Sequence, residues 1–82
     1  MIDKNTYDMK AVAANISEIV KGKAEKENRP MYDLFYDIDD WSYDKYNYYV
    51  RRNPKAINDE FLNMILENFN CSLKDITKGA KK

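Results

Sequence analysis

A chain of 82 residues with one cysteine, no histidine and as many acidic as basic side chains holds one small core and few chemical groups beyond it. A lone cysteine excludes an internal disulfide framework, and without histidine the usual zinc ligand sets and nucleophile–base pairs cannot be assembled. Two glycines build no phosphate loop, and no apolar run approaches the roughly 20 residues of a membrane span. No charged leader followed by an apolar run opens the chain, so the expectation is a cytoplasmic, non-enzymatic domain, residues 1–82, without metal or cofactor.

In chain order, Asn5 or Thr6 is the expected cap of a first helix, with Asp8 in its first turn. Met9, Val12, Ile16, Ile19 and Val20 then recur at three- and four-residue steps, while Lys10, Glu18, Lys21 and Glu25 take the far side. Gly22 weakens this helix, and Pro30 halts it because the residue before a proline avoids helical angles. Pro30 also suits the opening of a second helix, striped by Met31, Leu34, Phe35 and Ile38, with Tyr32 and Tyr36 one turn apart on the neighbouring face. Asp39 and Asp40 mark its exit.

Ser42 is the expected cap of a third helix through about Arg52, with Tyr46, Tyr49 and Val50 inward and Trp41 stapling its start. Asn53–Pro54 ends it. Asn58 caps a fourth helix buried through Phe61, Leu62, Ile65, Leu66 and Phe69. Ser72-Leu73-Lys74-Asp75 has the spacing of a capping box for a short fifth helix, closed by Gly79 before a lysine-rich end, 78–82, expected to fray. The result is all-α: five short helices with tight connectors.

Charge is unevenly placed along this frame. Residues 31–44 carry Asp33, Asp37, Asp39, Asp40 and Asp44 with no basic residue, whereas residues 45–57 carry Lys45, Arg51, Arg52 and Lys55 with no acid.

The string Ser42-x-x-x-Tyr46-Asn47-x-Tyr49, followed by Leu62-x-x-Ile65-x-x-x-Phe69-Asn70-Cys71-Ser72-Leu73-Lys74-Asp75-Ile76, resembles the second half of the lambda-repressor/Cro-type, XRE-like helix-turn-helix family. Ile16 and Ile19 match its first helix, and Leu34, Phe35 and Ile38 its second, so the likeness runs from about Val12 to Ile76. It implies a compact five-helix lambda-repressor-like domain with the helix-turn-helix at about 31–52. Three positions depart from the family: Pro30 replaces its serine or threonine cap, Met31 its bracing glutamine, and Phe35 a small residue where the two motif helices cross.

For function the resemblance implies a small phage- or mobile-element-type transcriptional regulator that binds duplex DNA, as a homodimer on a two-fold site, with residues 42–52 as recognition helix. Ser42, Tyr43, Asp44, Lys45, Asn47 and Tyr48 would meet the groove, Asn47 suiting adenine and Asp44 cytosine. Lys45, Arg51, Arg52 and Lys55 would meet phosphates. The alternative is a protein-binding module of the same fold, an antirepressor or an inhibitor of a host defence nuclease. It would present Asp33, Asp37, Asp39, Asp40, Tyr43 and Tyr48 to a basic partner.

Overall fold

A computed structural model describes residues 2–82 as five α-helices joined by single tighter or wider turns. They are α1 (Met9–Glu27), α2 (Met31–Leu34), α3 (Tyr43–Asn47), α4 (Asp59–Asn68) and α5 (Leu73–Thr77). A 3-10 turn, Phe35–Asp37, continues α2; a π-turn, Tyr48–Arg52, continues α3; and a second 3-10 turn, Pro54–Ala56, leads towards α4. The Cα radius of gyration is 12.0 Å.

α1 is the axis of the core. Met9, Val12, Ala13, Ile16, Val20 and Ala24 form its buried stripe, and Ile19, expected inside, lies half-buried at the edge. Against this stripe pack Leu34, Phe35, Tyr46, Ile57, Phe61, Leu62, Ile65, Phe69 and Ile76. On α4 the buried set includes Met64, while Leu66 is only half-buried. Met64 belongs to the core cluster and lines one cleft with Ile38 and Trp41 of the turn before α3.

Side-chain caps fix where the helices start. Ser42 Oγ accepts from the Lys45 N–H at 3.1 Å, and Asn58 Oδ1 from the Phe61 N–H at 2.9 Å. Ser72 and Asp75 form the reciprocal capping box, at 3.3 Å and 2.8 Å. These contacts draw the Asp75 carboxyl below its ordinary pKa, chiefly through the Ser72 backbone N–H.

The first helix starts later than its sequence signals suggest. Its cap is Asp8, whose Oδ1 accepts from the Lys10 N–H at 3.0 Å. Asn5 and Thr6 belong instead to a preceding turn held by Asp3, which accepts from the Asn5 N–H at 2.8 Å and the Thr6 hydroxyl at 2.9 Å. At the other end of α1, Asn28 turns left-handed (φ 54°) and closes the helix two residues before Pro30.

The lysine-rich end, expected to fray, lies against this N-terminal arm. The Asp8 N–H donates to the Ala80 carbonyl (2.7 Å) and the Lys82 N–H to the Thr6 carbonyl (2.8 Å), around an antiparallel Tyr7–Lys81 bridge. Ala80 is buried, and Gly79 takes φ 69° to make the turn. Asn15 of α1 donates to the carbonyls of Ile76 and Lys78, at 3.1 and 2.8 Å, satisfying groups that the end of α5 leaves open.

Candidate nucleic-acid interface

The third helix is held in place by aromatic packing. Tyr46, 1% exposed, has its ring 4.8 Å from Phe35 and 6.3 Å from Phe61. Tyr49 stands 4.8 Å from Phe61, and Trp41 stands 5.7 Å from Phe61 and 6.1 Å from Tyr49. Phe35 thus sits in the core. The α-helical part of the second helix stops at Leu34, and a 3-10 turn carries Phe35 inward beside Tyr46. Burial pushes the Tyr46 phenol up to about 12. Its hydroxyl is enclosed without a hydrogen bond of normal geometry, although Ser17 acts on it in the opposite direction.

α3 keeps α-geometry only to Asn47. Beyond it the Asn53 N–H reaches back five residues to the Tyr48 carbonyl at 2.8 Å, and the widened turn changes the phase of Arg51 and Arg52 from that of a continuous α-helix.

The expected DNA-facing residues divide accordingly. Ser42 is used as the cap. Asp44, Lys45, Tyr48, Arg51 and Arg52 are exposed. Lys45 lies over the Trp41 ring at 4.2 Å and donates to the Asp40 carbonyl at 3.3 Å. Tyr48 accepts from Asn53 at 3.3 Å. Tyr43, expected outward, is half-buried and stacks on Tyr46 at 5.8 Å. Asn47 is half-buried with its amide oxygen enclosed and unpartnered, so a bidentate grip on adenine first requires that side chain to rotate outward. Among the described residues neither Arg51 nor Arg52 forms an ion pair.

Lys55 is exposed in the 3-10 turn that follows, and there the fold adds cations that sequence order does not connect. Lys4 Nζ donates to the Lys55 carbonyl, and Lys82 Nζ to the Lys4 carbonyl at 3.3 Å. Lys4, Lys10, Lys55 and Lys82 line one open cavity of about 520 Å³.

The acidic second helix is partly neutralised by a residue just outside the segment. Arg29 Nε meets Asp33 at 2.8 Å, one Nη meets Asp37 at 2.9 Å, and the other meets Glu27 at 3.1 Å. These carboxylates, Asp33 foremost, raise the guanidinium pKa further. Asp39 and Asp40 remain exposed in the turn between the second and third helices, Asp40 with φ 66°.

The chain matches no protein-family model, no curated protein and no solved structure. Among the described residues no group of three or more acidic or cysteine side chains could hold a metal ion, and no helix is long and apolar enough to cross a membrane.

Proposed function

We propose that this protein is a small transcriptional regulator of the lambda-repressor/Cro type that binds duplex DNA through its third helix, pairing as a homodimer on a two-fold site in the cytoplasm of a phage- or mobile-element-bearing host. It needs neither catalysis nor cofactor. One observation carries the reading: among the described residues Arg51 and Arg52 end the third helix exposed and in no ion pair, and Lys55 follows in the next turn, where Lys4 and Lys82 gather. Neutralisation of Asp33 and Asp37 by Arg29 also lessens the repulsion that helix 2 would impose on a phosphate backbone.

Fluorescence anisotropy with a mixed-sequence duplex over a salt series tests the reading. Each of Arg51→Ala and Arg52→Ala is expected to weaken binding and to lower the salt slope by about 1. No binding at micromolar protein in low salt sinks the idea, as does a slope indifferent to both changes. Sedimentation with and without duplex tests the pairing.

A second reading, the protein-binding module that acts as antirepressor or nuclease inhibitor, is favoured by three exposed tyrosines, Tyr32, Tyr36 and Tyr48, and by the exposed Asp39 and Asp40, which form no ion pair among the described residues. Capture of a lysine- and arginine-rich protein that is lost with Asp39→Asn/Asp40→Asn supports it; indifference to that change counts against it. Asp33 and Asp37 are poor probes because they hold Arg29.

A further inference from the structure

Tyr32 and Tyr36 are large rings left in water, 52% and 78% exposed, and among the described residues their ring contact is with each other, edge to face at 6.1 Å. Single exposed aromatics are ordinary, but these two share a purpose in space. They form one wall of a pocket of about 300 Å³ in the crook between the second and third helices. Phe35, Trp41 and Tyr43 supply the other aromatic walls, and Asp44 brings a carboxylate to the same pocket. The i, i+4 spacing of Tyr32 and Tyr36 and the tilt of Tyr43 over Phe35 (6.0 Å) build this enclosure from three short elements.

Aromatic faces carry negative charge density and attract cations, most strongly at tryptophan. Lys45, 4.2 Å from the Trp41 ring centre, already uses that property within the chain. A carboxylate beside aromatic faces selects among cations. A guanidinium is flat, weakly hydrated and rich in in-plane N–H groups, so it can lie on a ring while its edge donates to Asp44. A quaternary ammonium has no N–H and leaves Asp44 without a donor. A nucleotide base could stack, but its phosphate would meet Asp44 and the nearby turn that carries Asp39 and Asp40. The volume is at the small end for ligand pockets and suits one side-chain head.

We propose that this pocket receives an arginine side chain of a protein partner, held between Tyr32, Tyr36 and Trp41 and hydrogen-bonded to Asp44. The proposal sharpens the protein-partner reading by naming the side chain recognised. It uses residues other than Asp39 and Asp40, so the two ideas fail separately.

Trp41 is the single tryptophan, and its fluorescence therefore reports the pocket directly. The whole protein is titrated with N-acetyl-arginine methylamide at fixed ionic strength, and backbone amide shifts are followed in parallel by NMR. Saturable binding in the millimolar range is expected, with shifts confined to residues 32–44. Asp44→Asn should weaken it by about threefold, and Tyr36→Ala, at an exposed position that the core does not need, by a similar factor of about three. Tetramethylammonium binding as tightly, with no loss in Asp44→Asn, overturns the assignment. Preferential binding of a thymidine dinucleotide overturns it too, as does the absence of any saturable change with the arginine derivative. If arginine binds as expected while a basic partner is still captured after Asp39→Asn/Asp40→Asn, the pocket stands and the aspartate turn does not.

Discussion

Replacing Tyr46 by phenylalanine removes one hydroxyl from the centre of the aromatic packing and leaves the ring. That hydroxyl is enclosed and lacks a hydrogen bond of normal geometry, so it lost its water contacts on folding with little in return. A buried polar group left unsatisfied costs about 1–3 kcal/mol, and a small void where the oxygen sat takes some of that back. Tyr46→Phe should therefore stabilise the domain by about 1 kcal/mol, which for a chain of this size raises Tm by about 4–8 °C. A second signature is independent of packing. The phenol is pushed up to about 12 when folded, chiefly by burial, against about 10 when unfolded. Because the folded value is the higher one, this group's stabilising term is whole below the unfolded pKa and is lost as pH rises towards the folded one. Between about pH 9 and about pH 11 the wild type should lose about 1.3 kcal/mol more than Tyr46→Phe does. Urea unfolding followed by far-UV circular dichroism at the two pH values measures both effects. A variant less stable than wild type by about 1 kcal/mol at neutral pH, with an unchanged pH response, would refute the reasoning and mean that Ser17 or an ordered water satisfies the hydroxyl.

Two glycines should respond in opposite ways. Gly22 lies inside α1 with open space where a Cβ would stand, so Gly22→Ala should raise stability by about 0.5–1 kcal/mol; Gly79, held at φ 69°, should make Gly79→Ala destabilising by about 1 kcal/mol, both read from thermal melts. Ser72→Ala should cost about 1 kcal/mol through the lost cap. NMR titration should also show the Asp75 carboxyl pKa rising only part of the way in that variant, because the Ser72 side-chain contact is lost while the larger backbone N–H contact remains. A depressed carboxyl stabilises above its unfolded pKa and loses that contribution as pH falls through the folded value, so the acid side of the stability profile should flatten in Ser72→Ala.

The parts of this fold legible in sequence are those decided within one turn of chain. Ser42, Asn58 and Ser72 each stand just before an apolar periodic run, and each caps as that placement predicts. Where two local signals compete, sequence alone does not choose. Asn5, Thr6 and Asp8 are all capping types, and the choice of Asp8 follows from the Asp3 turn and the Tyr7–Lys81 bridge that position the arm. Burial of Met64 while Leu66 stays half-buried depends on which elements pack around α4, a tertiary matter. The π-turn after Asn47 reflects the fitting of Tyr49 and Val50 against the core, a tertiary effect with no local motif. Arg29, Asp33 and Asp37 stand at i, i+4 and i+8, yet Pro30 separates the arginine from the helix it serves, so a reading that stops at the proline misses the pairing. The aromatic pocket has the same character. Tyr32 and Tyr36 form a visible helical pair, but their meeting with Trp41 and Asp44 is set by the crook between two helices.

A zero net charge argues against a nucleic-acid partner only when acids and cations are equally available at the surface. Here they have different tasks. Asp3, Asp8 and Asp75 accept backbone N–H groups at turns and helix starts, and Glu27, Asp33 and Asp37 converge on Arg29. Each of these carboxylates is spent on local structure with a donor at hydrogen-bond distance, and its outward field is correspondingly reduced. Arg51 and Arg52 form no ion pair among the described residues, whereas Lys4 and Lys82 donate to backbone carbonyls and Lys82 also helps to lower the Asp3 carboxyl pKa. Fields from exposed charges fade over roughly 8–10 Å at physiological salt, so an approaching partner responds to the local set and not to the sum. On this account Arg51, Arg52 and Lys55 form a basic stretch at the end of the third helix and in the turn that follows, Lys4, Lys55 and Lys82 line one cavity, and the aromatic pocket carries the carboxylate of Asp44. Ser42, Tyr43 and Asp44 belong both to the pocket and to the first turn of the proposed recognition helix, so a duplex seated on that helix and an arginine side chain in the pocket should compete. Titrating the arginine derivative into a preformed DNA complex checks this directly: loss of the Trp41 response supports the shared surface, and an unchanged response means that the duplex is held elsewhere on the domain.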